Sequence, residues 1–295
     1  MPDLLHLRCR SLHAALAPDI GGAVAGLWLE TETGRLPLLR AAPNSFSDPR
    51  QSACFPMVPF CNRLRHGVLR FRSREISLPA NLPLERHPLH GQGWQAAWRA
   101  EAISAHQADM VFDHAAGDWP WRYQARQRIS LDQSGATLSL HLINQDLAAM
   151  PAGLGLHPYF PADPDSVLNA SVRSVSLTDA EHLATGTSQP AQGAYSLQDR
   201  RIAGINLDHG FSGWDGAFTL TWPGRPLGLR MTAAMASQWL QIYAPSGQDY
   251  VCAEPMTHAN DAFAAPESDW MLLGVRCLEP GETMSLEIRL QTLGL

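Results

Sequence analysis

The chain has 295 residues, of which 45% are hydrophobic and 17% charged. This balance excludes a disordered chain, and the length allows a large buried core. The 22 Lys plus Arg stand against 28 Asp plus Glu, a formal net charge of −6, and no run of basic residues occurs. The charge therefore argues against a nucleic-acid or membrane-surface partner and favours a small neutral ligand.

The sequence predicts a single domain covering residues 1–295, because all-β chains of this length often form one domain. The residues near the N-terminus lack the basic start and continuous apolar stretch of a signal peptide, and no window approaches 18 uninterrupted apolar residues. We therefore expect a cytoplasmic protein, and the sequence leaves open whether it is a monomer or a homodimer.

Cysteine usage points to a reducing compartment and to no metal centre. The five cysteines are an odd number, form no CxxC pair and have no spacing typical of zinc. Each is expected to be a small buried apolar residue. Cys61 and Cys252 stand next to candidate site residues, so they are expected to line the pocket wall.

Period-two alternation of apolar residues recurs along the chain and predicts many short strands. In chain order the candidates are residues 24–30, 69–71, 75–78, 108–112, 123–131, 137–144, 172–177, 218–222, 227–232, 239–244 and 283–291. The alternation is cleanest in 283–291, where Met284, Leu286, Ile288 and Leu290 fall on one face. Turn signals separate the candidates, at residues 19–22, 132–135, 223–224 and 280–281.

This pattern predicts an all-β fold, a large antiparallel β-sandwich with few short helices. Helical periodicity is scarce, and 23 Gly plus 22 Pro would interrupt most long helices. Residues 185–193 are rich in Ser, Gly, Gln and Pro and are interpreted as a surface loop. Trp94, Trp98 and Trp214 are expected in the core.

Five segments place polar or ionisable residues among glycine, proline and aromatic residues. They are residues 55–67 (FPMVPFCNRLRHG), 87–94 (HPLHGQGW), 153–160 (GLGLHPYF), 207–215 (LDHGFSGWD) and 250–255 (YVCAEP). The first brings together Asn62, Arg63 and Arg65, whose side chains hydrogen-bond sugar hydroxyls well. The others supply histidines, an aspartate and a glutamate in apolar surroundings.

Each segment also has a purely structural interpretation. A histidine near aromatic residues, such as His90 or His157, is commonly a buried residue with satisfied hydrogen bonds, and Asp208 before His209 could cap a turn. Glu254 ends a mostly apolar run, where a buried carboxylate must be paired or functional. His258, Asn260 and Asp261 follow it and are interpreted as polar loop residues.

Taken together and in this order, the segments resemble the aldose 1-epimerase, or galactose mutarotase, family. The resemblance implies a β-supersandwich, mutarotation of a free aldohexose and no cofactor. By position it implies that Glu254 is the catalytic base and His157 the acid, with His90, Arg63, Asn62 and Asp208 holding the sugar. The GLHPYF segment is closer to a bacterial branch than to galactose-selective animal enzymes, which leaves the preferred hexose open.

Mutarotation needs one proton acceptor and one proton donor at the hemiacetal, each contributing roughly 10²- to 10⁴-fold in rate. A carboxylate near its usual pKa is ionised at neutral pH, and a histidine with an ordinary pKa of about 6.5 can carry a proton. We therefore expect Glu254 and His157 to flank one sugar.

The sequence leaves other functions open. A mutarotase for a phosphorylated or sulfonated hexose would need extra cations, for which Arg65 and Arg86 are candidates. A noncatalytic sugar-binding domain could share the fold, although binding alone does not require both an acid and a base. A glycoside hydrolase usually needs two facing carboxylates, and only Glu254 is well placed in the sequence.

Overall fold

The computed structural model describes residues 2–225, 227–233 and 238–294, and its regular structure is almost all antiparallel strand. The strands are β1 (Leu5–Cys9), β2 (Leu12–Ala17), β3 (Ala23–Thr31), β4 (Gly34–Leu39), β5 (Cys54–Met57), β6 (Val68–Phe71), β7 (Arg74–Ser77), β8 (Arg99–Ile103), β9 (Gln107–His114), β10 (Tyr123–Asp132), β11 (Gly135–Asn144), β12 (Met150–Ala152), β13 (Gly155–Pro161), β14 (Val167–Ala170), β15 (Ser174–Thr178), β16 (Ala184–Pro190), β17 (Arg200–Arg201), β18 (Leu207–Ser212), β19 (Ala217–Thr221), β20 (Leu227–Ala233), β21 (Trp239–Ala244), β22 (Tyr250–Met256), β23 (Arg276–Leu278) and β24 (Thr283–Gly294).

Helical structure in the described ranges is limited to one short α-helix and several single turns. The helix is α1 (Trp270–Leu273), and 3-10 turns lie at Pro49–Gln51, Arg65–Gly67, Gly93–Gln95, Gly193–Tyr195, Ala262–Ala264 and Glu267–Asp269. None of these described helices is long and apolar enough to cross a membrane. The prediction of an all-β fold with few short helices is confirmed.

Two large sheets carry the architecture. The first, here called the site sheet, has the strand order β1-β2-β3-β5-β13-β22-β21-β18-β15-β16, with β4 paired to β3. The second, the back sheet, has the order β17-β14-β19-β20-β24-β11-β10-β9-β8. β12 with β23, and β6 with β7, form two small additional pairs.

The back sheet shows how the alternating pattern builds the core. In β11 and β24, Leu140 pairs with Leu286 and Leu138 with Ile288, and all four side chains are buried. Burying each such side chain contributes roughly 1.5–3 kcal/mol. Residues of both sheets, including Leu156 and Phe160 from the site sheet, belong to the same apolar cluster, so the two sheets share one core.

The predicted strands are found close to their expected positions, with two differences. The candidate at 172–177 is β15, which begins two residues later, at Ser174. The prediction of a surface loop at residues 185–193 is wrong, because Ala184–Pro190 is strand β16. β16 is an exposed edge strand paired through its backbone to β15, and such pairing does not require apolar side chains.

The middle of the site sheet differs from the rest because its strands are buried on both faces. In β13, Leu156 and Phe160 point into the shared core, whereas Tyr159 belongs to a second cluster on the opposite face and His157 stacks on it. The same division holds in β22, where Val251 and Ala253 face the core. This second buried face carries the candidate site.

Candidate functional site

A cavity of about 360 Å³ lies over the second face of the site sheet. Its lining includes all six residues that the sequence predicts for the site, Asn62, Arg63, His90, His157, Asp208 and Glu254. The remaining lining residues are Asp48, Arg50, Phe55, Leu82, Glu85, Leu89, Tyr159, Gln241, Tyr243 and Tyr250. The fold therefore brings the predicted residues together, although they are spread over almost two hundred positions of the chain.

The register of four adjacent strands explains why His157 and Glu254 meet. Phe55 of β5 pairs with His157 of β13, and Gln241 of β21 pairs with Glu254 of β22. Gly155 of β13 pairs with Met256 of β22, and Tyr159 pairs with Cys252. His157 lies midway between Gly155 and Tyr159, so it stands opposite Glu254. Since residues at the same level of a sheet project from the same face, the four side chains form a row under the cavity.

His157 and Glu254 form a close buried pair at the centre of this row. Nε2 of His157 lies 3.3 Å from Oε1 of Glu254, and the two residues are 7% and 2% exposed. The imidazole stacks on the rings of Phe55 and Tyr159, with ring centroids 4.5 and 4.7 Å away. Contact with two aromatic rings restricts the ring plane, so packing helps to orient His157 toward Glu254.

Burial shifts both pKa values away from those expected for the isolated residues. Burial raises the pKa of Glu254 well above its usual value, the negative charge of Asp208 raises it further, and Arg63 opposes the change. Burial lowers the pKa of His157 to about 3. The expectation of a carboxylate and a histidine with ordinary pKa values is therefore wrong, since loss of solvent disfavours the charged form of each group.

The neutral pair and the charged pair contain the same number of protons. A protonated Glu254 beside a neutral His157 differs from an ionised Glu254 beside a protonated His157 only in which atom holds the shared proton. The acid and base roles are thus compatible with the burial of both residues. Oε2 of Glu254 and Nδ1 of His157 are buried without a hydrogen-bond partner. Each atom is therefore free to form a hydrogen bond with a ligand.

His90 is held as a neutral hydrogen-bond donor. Its Nδ1 accepts a hydrogen bond of 3.0 Å from the backbone N–H of Asn62, which leaves the proton of a neutral ring on Nε2. Burial lowers the pKa of His90 well below its usual value, and the nearby His157 and Arg63 lower it further. The ring meets that of His157 edge to face at 5.5 Å.

Asp208 is the centre of a polar network on the other side of the cavity. Gln241 donates to Oδ1 of Asp208 at 2.6 Å, while His182 and Arg63 approach Oδ2 at 3.1 and 3.7 Å. Arg63 also lies 3.6 Å from Glu85. The charge of Arg63 is therefore balanced by two carboxylates, and Asp208 is held in place from three sides.

The other arginine that lines the cavity is also paired, since Arg50 contacts both carboxylate oxygens of Asp48. Arg65 and Arg86, considered from the sequence as phosphate ligands, are not among the lining residues. Arg65 pairs with Asp261 and Arg86 with Glu181. The cavity therefore contains no arginine, among those described, that lacks a carboxylate partner.

Gln241 is a site residue that sequence analysis missed. Strand β21 was predicted at residues 239–244 without an assignment of its two faces, one of which carries Leu240, Ile242 and Ala244. The other face carries Trp239, Gln241 and Tyr243 instead of the charged residues typical of a solvated strand. This composition was the available signal that β21 is covered on both faces.

Several residues of the predicted segments have structural roles instead. His87 accepts from the backbone N–H of His66 and contacts Glu181, and His209 lies beside Ser176 and Thr178. The Nε2 atom of buried His258 accepts from the backbone N–H of Cys61 at 2.9 Å. This last bond ties the loop after β22 to the segment that carries Asn62 and Arg63.

The cysteines are free, and their burial follows the prediction only in part. Cys54, Cys61 and Cys252 are buried, Cys9 is half-buried and Cys277 is exposed, so the expectation is wrong for Cys277. Cys61 and Cys252 pack in the apolar cluster directly beneath the cavity, but they do not line it. Cys252, His157 and Glu254 form a group that could ligate a metal ion.

Comparison with known proteins agrees with this architecture. A model of the family described as aldose 1-epimerase matches residues 3–291. The uncharacterised protein YphB of Escherichia coli K12 is 29% identical over 290 residues, which cover 95% of this chain and 96% of that protein. A crystal structure of a proposed aldose 1-epimerase from Escherichia coli K12 is 28% identical, with a TM-score of 0.90 and 99% of each chain covered. A galactose mutarotase-like protein from Clostridium acetobutylicum shares the fold, with a TM-score of 0.89 at 17% identity, over 99% of this chain and 95% of that one.

Proposed function

Because the chain belongs to the aldose 1-epimerase family, we propose that it interconverts the α and β anomers of a free aldohexose, such as glucose or galactose. In this proposal Glu254 is the general base and His157 the general acid. Asn62, Arg63, His90 and Asp208 hold the sugar. The reaction requires opening and reclosure of the pyranose ring, with no net change in the proton content of the enzyme.

One observation carries the proposal, the pairing of His157 and Glu254 at 3.3 Å beneath a cavity. The two sugar atoms that exchange protons, the C1 hydroxyl oxygen and the ring oxygen, are both bonded to C1 and therefore lie close together. Two proton-transfer groups that are themselves adjacent can serve both atoms from one position of the ring.

Ring opening starts from one of the two proton arrangements of the pair, and ring closure starts from the other. In ring opening, ionised Glu254 accepts the proton of the C1 hydroxyl, protonated His157 gives its proton to the ring oxygen, and the C1–O5 bond breaks as the C1 carbonyl forms. The enzyme then holds protonated Glu254 and neutral His157, the arrangement that burial favours. After the carbonyl turns about the C1–C2 bond, the same transfers run backward and close the ring.

The charges of the cavity support a neutral substrate. Arg63 is balanced by Asp208 and Glu85, and Arg50 by Asp48. A phosphate or sulfonate would have to compete with these carboxylates for the same guanidinium groups, which opposes binding of an anion. The balanced network instead offers donors and acceptors to hydroxyl groups.

Optical rotation of freshly dissolved α-anomers tests the proposal. We expect the purified protein to accelerate mutarotation of α-D-glucose or α-D-galactose well above the spontaneous rate in the same buffer. Hexose 6-phosphate should be a much poorer substrate and a weak competitor. Sugar binding in calorimetry without any acceleration would contradict the enzymatic proposal and would indicate a binding domain.

A further inference from the structure

We propose that His157, Cys252 and Glu254 form a binding site for a thiophilic divalent cation such as Zn²⁺, and that the bound cation blocks the catalytic pair. The three side chains each offer one donor atom, and these atoms all lie within 4.8 Å of one another. The inhibitory part of this inference rests on the proposed function, whereas the binding part does not.

The strand geometry explains the clustering. Cys252 and Glu254 are two residues apart on β22, so both project from the same face of the site sheet. Cys252 pairs with Tyr159, the neighbour of His157 on the same face of β13. Imidazole nitrogen, thiolate sulfur and carboxylate oxygen are the three donor types that proteins use for zinc.

The distances are close to those of a zinc centre. Donor atoms at about 2.0–2.3 Å from a tetrahedral ion are separated from one another by about 3–4 Å. Nε2 of His157 and Oε1 of Glu254 already stand at 3.3 Å, and the remaining spread within 4.8 Å requires only small side-chain adjustments. Ligation through Nε2 and Oε1 replaces the contact between these two atoms, and Oε2 of Glu254 and Nδ1 of His157 have no hydrogen bond to lose.

The charge balance also favours a dication. A Zn²⁺ ion bound to one thiolate, one carboxylate and one neutral imidazole forms a complex with no net charge. This neutrality limits the cost of placing a dication in a buried position.

A bound cation removes both groups that the proposed reaction needs. The lone pair of His157 and the carboxylate of Glu254 become metal ligands, and neither can then exchange a proton with the sugar. A three-ligand site keeps a fourth position open, and the cavity above the pair supplies water or a sugar hydroxyl for it. We therefore expect reversible inhibition.

The test uses Co²⁺ as a spectroscopic substitute for Zn²⁺, in buffer without added thiols or chelators. Cobalt bound through a thiolate gives an intense near-ultraviolet charge-transfer band, so the band reports Cys252 ligation without any activity measurement. We expect one equivalent of Co²⁺ to produce the band and Zn²⁺ to remove it. In parallel, Zn²⁺ should lower the rate of mutarotation at least about tenfold, since each proton-transfer group contributes 10²-fold or more.

Cys252→Ser and Cys252→Ala are the diagnostic variants, and Cys54→Ser and Cys61→Ser are the matched controls. Cys54 and Cys61 are equally buried but do not belong to the donor group. Both Cys252 variants should lose the band and need about 10- to 100-fold more Zn²⁺ for half inhibition, because even outer-shell changes have effects of this size. The control variants should behave as the unmodified protein does.

Three results would overturn the inference. They are the absence of a thiolate band at saturating Co²⁺, a band that persists in Cys252→Ala, and zinc inhibition of equal strength in Cys252→Ala and the unmodified protein. A protein that shows the band but never catalyses mutarotation would contradict the proposed function and leave the metal site standing. The two failures are thus distinguishable.

Discussion

Burial acts in opposite directions on the two residues of the proposed catalytic pair. It raises the pKa of Glu254 and lowers the pKa of His157, because each charged form loses its hydration. Burial therefore favours the proton arrangement in which Glu254 is protonated and His157 is neutral. In the proposed reaction, ring opening starts from the opposite arrangement, with the proton on His157.

The arrangement favoured by burial predicts that His157 stays neutral in mildly acidic solution. At pH 5 a histidine with a pKa of about 6.5 is almost fully protonated, whereas a pKa of about 3 keeps His157 unprotonated. Nitrogen chemical shifts of protein labelled in histidine report this directly. We expect one ring, identified by its absence from the spectrum of His157→Asn, to keep neutral shifts at pH 5.

Titration of His157 near the ordinary value would show that its charged form is stabilised in the free protein, contrary to the effect of burial described here.

At the scale of single residues, the sequence was most informative where a polar residue stands in an apolar or aromatic segment. Glu254 after an apolar run and His157 among aromatic residues could be identified because polar residues are uncommon in such places. Gln241 could not be assigned to the site in this way, since the uncharged face of β21 indicates only that the strand is covered on both sides. The position of Gln241 beside Glu254 becomes visible only when β21 and β22 are paired.

Among the elements, the central strands of the site sheet combine two functions. One face of β13 and β22 contributes to the shared core, and the other supports the cavity. Strands with clean alternation, such as β24, were predictable from the sequence alone. β16 was not, because an edge strand is stabilised by backbone pairing and carries no apolar pattern.

The loop that carries His90 depends on a glycine at position 91. Gly91 has φ +73°, and an added Cβ would lie 2.3 Å from the backbone oxygen of Val58. Gly91→Ala must therefore displace the backbone as well as adopt a strained conformation. We expect a loss of at least about 2–4 kcal/mol in the free energy of unfolding, measured by urea denaturation.

Gly186→Ala is the matched control for this substitution. Gly186 also has a positive φ, +78°, but an added Cβ there would have no atom of the described residues within 4 Å. The control isolates the backbone strain from the steric overlap, and it should cost only about 1 kcal/mol. Equal losses in the two variants would show that the contact with Val58 has no energetic importance.

The whole molecule assembles its site from distant parts of the chain. Asn62, His157 and Glu254 come from β5 and its following loop, β13 and β22, which are adjacent in the sheet but far apart in sequence. Composition and alternation predicted the sandwich, and the ordered motifs predicted the residues. Strand order and register could be determined only from the structure, because antiparallel pairing between distant strands leaves no local signal in the sequence.

The proposed acid and base depend on the whole fold, since sheet register brings them together and the core excludes water from beneath them. Their variants, Glu254→Gln and His157→Asn, preserve shape and remove proton transfer. Glu32→Gln and His141→Asn are controls at exposed positions. The controls should keep the rate of the unmodified protein.

The decisive measurement is the initial change in optical rotation of fresh α-D-glucose or α-D-galactose, whichever the unmodified protein converts faster, with each variant after its folding has been verified by thermal melting. We expect kcat to fall by about 10²- to 10⁴-fold in both Glu254→Gln and His157→Asn. A folded variant of either residue that converts the sugar at nearly the unmodified rate would contradict the proposed mechanism.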